Sequence, residues 1–203
     1  MDDIISGVRT FQRDVYPQYR ELFHDLAEGQ SPRALVITCS DSRVDPFLFM
    51  NAQPGQLFVI RNAGNLVPKY DGIVGGVTAT IEFAVVGLRV PNIIVCGHSG
   101  CGAMQGLLHP ETLVDMPHVS DWLKHHAEPV RDILSKTGRL GGPEELPHAV
   151  DANVIVQLEN LRAHPCVAEG LSEGKIMLHG WVYDFVTGSI RAYDDEWKQF
   201  SAL

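Results

Sequence analysis

Hydrophobic residues at the start of the chain recur at helical spacing: Ile4, Ile5, Val8, Phe11 and Val15 mark one face within residues 1–29. Pro17 breaks that pattern, and a second helix runs through Leu22 and Leu26. So apolar a helical arm, placed ahead of the first strand, is expected to pack on another subunit. From residue 33 onward the pattern changes to short apolar runs. Strands are predicted over 33–39, around Ala34-Leu35-Val36-Ile37, over 56–61 after the Pro54-Gly55 turn, and over 92–97, around Asn92-Ile93-Ile94-Val95. Asp45-Pro46 starts a short helix, because Asp caps well and Pro suits a first turn. Longer helices are predicted over 74–88, from Gly100 to Gly106, over 118–135 and over 145–162. The stretches 175–185 and 190–193 flank the Thr187-Gly188 turn and read as a hairpin. Strands alternating with helices argue for an α/β fold. The expectation is one domain over 1–203, with a mainly parallel central β-sheet flanked by helices, a C-terminal antiparallel hairpin and an N-terminal helical arm.

Composition removes several functions without changing that picture. A chain of 203 residues, 45% hydrophobic and 20% charged, suits one ordinary globular domain. A net charge of −9 with no basic tract opposes binding to nucleic acid or to an anionic membrane surface. The acidic start Met1-Asp2-Asp3 lacks the basic and apolar parts of a signal peptide, and no apolar run approaches the roughly 18 residues that span a bilayer. A cytoplasmic location is therefore expected, and with it cysteines used for metal or catalysis rather than disulfides.

The candidate chemistry lies where two strands end. Cys39 opens Cys39-Ser40-Asp41-Ser42-Arg43, and His98 and Cys101 lie in Gly97-His98-Ser99-Gly100-Cys101-Gly102. Two thiolates and an imidazole are three ligands for zinc, with a fourth tetrahedral position open as in catalytic sites. Carboxyl ends of parallel strands are also where open α/β sheets bind ligands. Cys101 and Gly102 open a helix, whose N-terminus favours thiolate over thiol. Two thiolates nearly cancel the zinc charge, so a neighbouring group must help to hold the hydroxide form of bound water. Asp41 and Arg43 share the Cys39 loop and are the candidates: the carboxylate can accept from that water or ligate the metal itself, and a paired guanidinium keeps it ionised. Cys96 reads as strand core and Cys166 as helix packing. The glycines of Arg61-Asn62-Ala63-Gly64-Asn65 and of positions 72, 75 and 76 do not form a dinucleotide fingerprint, and are read as permitting close backbone approach.

These phrases resemble the two zinc-binding signatures of the β-class carbonic anhydrases. The stretches Phe58-Val59-Ile60-Arg61-Asn62-Ala63-Gly64-Asn65-Leu66-Val67-Pro68 and His179-Gly180-Trp181-Val182-Tyr183-Asp184-Phe185 are also similar to that family, so the likeness covers nearly the whole chain in order. The chain looks closest to the bacterial and plant-like branch, including the enzymes that accompany cyanate degradation. The resemblance implies reversible hydration of carbon dioxide to bicarbonate and a proton, by attack of zinc-bound hydroxide, with one zinc per chain on Cys39, His98 and Cys101. It implies that Asp41 either pairs with Arg43 or swings in as a fourth, inactivating ligand. It also implies that Gln30 and the Gly102 N–H face substrate oxygens, that Phe58, Ala63 and Phe83 wall the pocket, and that the protein is a dimer or a multiple of dimers. Phe83 lacks the hydroxyl of family members with tyrosine there. Val36 stands where one branch has the tryptophan of an inhibitory bicarbonate pocket, which argues against that regulation although Arg61 and Tyr183 match it.

Three other readings compete. The same site could hydrolyse carbonyl sulfide or carbon disulfide. It could also be a non-catalytic zinc module, but Arg43 counts against this because a purely structural site needs nothing to draw the carboxylate away. A thiol redox role has no C-x-x-C to support it. His118, His125 and His126, with Asp115 and Asp121, are read as a solvated helix face. No residue is singled out as the proton shuttle; His109, Tyr70 or buffer could serve.

Overall fold

The computed structural model describes residues 1–72 and 75–203, in two units, Met1–Ser31 and Pro32–Leu203. In the first unit, α1 (Asp2–Thr10), a π-helical turn (Phe11–Val15) and α2 (Tyr16–Ala27) follow one another without a break. Pro17 therefore does not interrupt the helical course as expected. It sits in the first turn of α2 directly after the π turn, whose wider bonding (Tyr16 N–H to Phe11 O) accommodates a residue without an N–H. Neither helix buries any residue, and Ile4, Ile5, Val8 and Phe11 are exposed.

In the second unit the apolar runs become β1 (Ala34–Cys39), β2 (Leu57–Asn62), β3 (Asn92–His98) and β4 (Met177–Tyr183). They pair in parallel in the order β2-β1-β3-β4. Every residue of β1 is buried, as an uninterrupted apolar run in a parallel sheet predicts. The predicted hairpin is present as β4 with β5 (Ile190–Asp194), and a further antiparallel strand, β6 (Gln199–Ala202), completes the edge. The sequence reading had no β6, because Gln199-Phe200-Ser201-Ala202 alternates over only four residues, the shortest run that reads as a strand.

One face of the sheet carries the main core. Leu35, Ile37, Ile93 and Val95 meet the buried sides of α4 (Gly76–Glu82), α5 (Gly102–Leu108), α6 (Pro117–Lys136), α7 (Glu145–Arg162) and α8 (Pro165–Ser172). The predicted start of α4 at residue 74 lies outside the described residues; beyond Glu82 a π-helical turn runs over Phe83–Gly87. On the other face Ala34, Val36, Ile94 and Cys96 form a smaller cluster with Phe49, Met50, Trp181 and Tyr183. Burial pushes the Cys96 thiol up to about 12, so it stays neutral. Phe49 ends α3 (Pro46–Phe49), which Asp45 caps by accepting from the Phe47 and Leu48 N–H groups.

α7 lies unusually close to β3 and β4. A Cβ at Gly180 would stand 2.8 Å from Val154 Cγ1 and Leu158 Cδ1, and one at Gly97 would stand 2.9 Å from Val154 Cγ2. The same helix turns a buried polar stripe toward the loop after β2. Asn153 Nδ2 donates to Gly64 O (2.9 Å), Gln157 Oε1 accepts from Val67 N–H (2.8 Å), and Asn160 Nδ2 donates to Val67 O (2.9 Å). Asn62 closes the loop from within, accepting from Leu66 N–H (2.7 Å) and donating to Leu66 O (2.8 Å). Backbone groups without strand or helix partners are thereby satisfied, and the loop is held rigidly where β1 and β2 end.

Candidate metal centre

Three elements deliver the ligands: Cys39 ends β1, His98 ends β3, and Cys101 caps α5. All three are buried, and their ligand atoms lie within 4.8 Å of one another. Tetrahedral zinc with bonds of about 2.0–2.3 Å requires ligand-to-ligand edges of roughly 3.5–4 Å, which ligand atoms gathered this closely can supply. His98 gives the sharpest test of fit. Its Nδ1 lies 2.9 Å from Ser99 O, which can only accept, so Nδ1 carries the proton. The Nε2 lone pair is then buried with no hydrogen-bond partner. An orphaned acceptor beside two sulfurs, oriented by a carbonyl on its far nitrogen, suits a soft divalent cation.

The two thiols ionise unequally, Cys101 holding its proton more tightly than Cys39. Hydrogen bonding to Cys101, helped by the Gly64 N–H, lowers the pKa of the Cys39 thiol against the effect of burial. The same bond and burial push Cys101 up. A bound cation would displace that proton and leave both sulfurs as thiolates. Gly64 N–H lies 3.5 Å from Cys39 Sγ, so the loop held by α7 bears directly on a ligand.

Asp41 and Arg43 form a fork beside the ligands. Asp41 Oδ1 accepts from Arg43 N–H (3.0 Å) and Nε (2.9 Å), and Oδ2 accepts from Nη2 (2.6 Å). The guanidinium holds the Asp41 carboxyl well below the usual carboxylate range, so it is ionised throughout the working pH range. Arg43 Nη2 also donates to Gly100 O (3.2 Å). Arg61 clamps the loop from beneath: Nε donates to Cys39 O (3.0 Å), and Nη2 to the carbonyls of Asp41 and Val44 (2.7 Å each).

The remaining predicted positions are more dispersed. The rings of Phe58 and Phe83 lie 5.9 Å apart, Phe58 packed against the core and Phe83 exposed. Trp122 Nε1 donates to Ala63 O (3.0 Å). Gly102 is the first residue of α5. Gln30 is exposed in the N-terminal unit. Cys96 and Cys166 take no part in the Cys39–His98–Cys101 group, and Cys166 packs at the margin of the core. Sequence reading missed Arg61 as a loop clamp and the α7 polar stripe. The signal for the stripe was present, since Asn153, Gln157 and Asn160 recur at helical spacing among the apolar residues of the side that the helix buries.

Comparison with known proteins shows what shares this arrangement. The family model described as carbonic anhydrase matches residues 34–190. A carbonic anhydrase of Pseudomonas aeruginosa is 50% identical over 203 residues, covering 100% of this chain and 92% of its own. The solved structure of the β-carbonic anhydrase CcaA superposes with a TM-score of 0.95 at 44% identity, covering 100% of this chain and 92% of that one. A structure from a study of two tetrameric β-carbonic anhydrases from Sordaria macrospora has a TM-score of 0.75 at 30% identity, covering 94% of this chain and 92% of that one.

Proposed function

The chain belongs to the carbonic anhydrase family, in its β class, and on that premise we propose that it hydrates carbon dioxide reversibly to bicarbonate and a proton, with zinc held by Cys39, His98 and Cys101. The observation that carries the proposal is the buried, unpartnered His98 Nε2 beside two sulfurs. Zinc bound there would supply the Lewis acidity that makes water a nucleophile near neutral pH.

The chain's own residues do the rest. Asp41, kept ionised by Arg43, accepts a hydrogen bond from the attacking water and directs it toward the substrate carbon. The fork also keeps that carboxylate engaged with Arg43, so it would not compete with water for a metal held by Cys39, His98 and Cys101. Arg61 fixes the loop that carries both Cys39 and Asp41, which keeps ligand and acceptor in register. Gln30 and the Gly102 N–H donate to substrate oxygens, and Phe58, Ala63 and Phe83 provide the apolar wall that a neutral, linear molecule prefers over water. Phe83 acts through its apolar surface alone.

Self-association belongs to the same reading, as a dimer or a multiple of dimers. The exposed apolar residues of α1 and the tetrameric fungal neighbours support it. Among the described residues no helix is long and apolar enough to cross a membrane. Residence in the cytoplasm is likewise proposed, and cell fractionation tests it.

Stopped-flow carbon dioxide hydration on metal-quantified protein, at about pH 7 and about pH 8.5, tests the activity. The expected result is fast hydration at the higher pH. It should fall roughly 10²-fold or more in Asp41→Asn, and Cys101→Ser should lose both zinc and activity. Zinc bound at one per chain without hydration at either pH would overturn the proposal.

A further inference from the structure

Arg43 is held by three segments of chain at once. Beyond its fork on Asp41 and its bond to Gly100 O, its Cζ lies 4.3 Å from the centroid of the Phe185 ring. Phe185 follows β4, on a turn with little freedom of its own. Asp184 accepts from Ser99 Oγ (3.0 Å), Val186 N–H (2.9 Å) and Thr187 Oγ1 (3.0 Å). The Phe185 N–H donates back to Ser99 Oγ (3.3 Å). The ring also lies 6.3 Å, centroid to centroid, from His98. Gly100 has φ +63°, and a Cβ there would stand 3.5 Å from Phe185 Cζ, so the ring and the ligand loop approach closely.

Half of the Arg43 side chain is open to solvent, and an exposed ion pair by itself fixes two side chains only weakly. An aromatic face adds attraction from a direction that Asp41 does not occupy and removes water from one side of the guanidinium. Restraint here has a specific consequence. Asp41 lies two residues beyond Cys39, and an ionised carboxylate beside a zinc site with an open position is a competent fourth ligand. With a metal bound, its oxygens would be kept away by their bonds to Arg43.

We propose that Phe185 is a positioning residue for the Asp41–Arg43 pair: its ring pins the guanidinium, and so keeps Asp41 off the metal's fourth position. This rests on the reading of Cys39, His98 and Cys101 as metal ligands. Asp184 supports the ring by anchoring the turn to Ser99.

Cobalt(II)-substituted full-length protein tests it, because visible-band intensity and the metal-edge spectrum report ligand number and oxygen donors independently of turnover. In Phe185→Leu the ratio of Asp41-bound to Arg43-paired centres should rise about two- to fivefold, the effect expected of one exposed cation–π contact. Phe185→Tyr, which keeps the ring face, should retain the original spectrum. Asp41→Ala should abolish the difference between leucine and phenylalanine at 185. A leucine variant with an unchanged spectrum, a tyrosine variant that behaves like leucine, or a change that persists without Asp41 would each overturn the proposal. If Phe185→Leu does not fold, Phe185→Met makes the same comparison with an unbranched side chain. Failure of the unsubstituted protein to take up cobalt would instead remove the metal-site reading, and this proposal with it.

Discussion

Replacing Gln157 by leucine removes the centre of the polar stripe on α7 while nearly conserving volume. Gln157 is fully buried and uses its whole amide. Its Oε1 accepts from Val67 N–H (2.8 Å) and Asn160 Nδ2 (3.2 Å), and its Nε2 donates to Asn153 Oδ1 (2.9 Å) and His126 O (3.1 Å). Leucine leaves two groups most exposed to loss, the Val67 N–H and the Asn153 carboxamide oxygen, at about 1–3 kcal/mol each. The apolar side chain recovers about 1–2 kcal/mol of that through its own burial. The expected net loss is about 1–4 kcal/mol, a large part of the roughly 5–15 kcal/mol by which domains are stable. Urea unfolding of zinc-loaded protein at a single protein concentration reads it as a midpoint about 0.5–2 M lower with an unchanged slope. The loop that Gln157 holds also carries Gly64, whose N–H bears on Cys39 Sγ, so a chelator should strip the metal faster from the variant. A stability loss under about 1 kcal/mol would refute the reasoning, because it would show that the loop is held without the stripe.

Four further outcomes are expected. Gly180→Ala should cost about 1–3 kcal/mol in the same unfolding assay, since its Cβ would stand 2.8 Å from Val154 and Leu158. Arg61→Lys should destabilise the Cys39 loop by about 1–3 kcal/mol, because one ammonium cannot reach the carbonyls of Cys39, Asp41 and Val44 together; equal stability and equal metal retention would contradict this. Burial lowers the pKa of His179, whose Nε2 lies 3.0 Å from Asn92 Oδ1. The unfolded chain then binds the proton more readily. The His179 contribution is therefore full above its unfolded value of about 6.5 and is lost as pH falls through the lower folded value, and His179→Gln should flatten the fall in stability between about pH 6.5 and 5. At about pH 8 a zinc-edge spectrum should show sulfur, nitrogen and a water oxygen, since Asp41 is engaged by Arg43; a first shell of two sulfurs, one nitrogen and a carboxylate oxygen without water would contradict it.

Strands β1 to β5 were legible, β1 and β3 most plainly because they are uninterrupted apolar runs, and the helix over 145–162 was placed at its observed bounds. Residues close in sequence were also legible as chemistry: Asp41 and Arg43 share one loop, and the fork between them is a local contact. Pro17 misled because a proline reads as a break, whereas the π turn before it absorbs the missing bond within a continuous helical course.

What the sequence by itself determined was the alternation of elements, the residue types able to bind a soft metal and the carboxylate–guanidinium pair beside them, because periodicity and side-chain chemistry are local properties. Only the tertiary structure decided that Cys39, His98 and Cys101 converge within 4.8 Å, since parallel pairing of β1 with β3 brings together chain ends some sixty residues apart. It alone also decided that α7 steadies the Gly64 loop and that Phe185 lies on Arg43. Those contacts join residues far apart in the chain, and nothing in either residue's own neighbourhood specifies its distant partner.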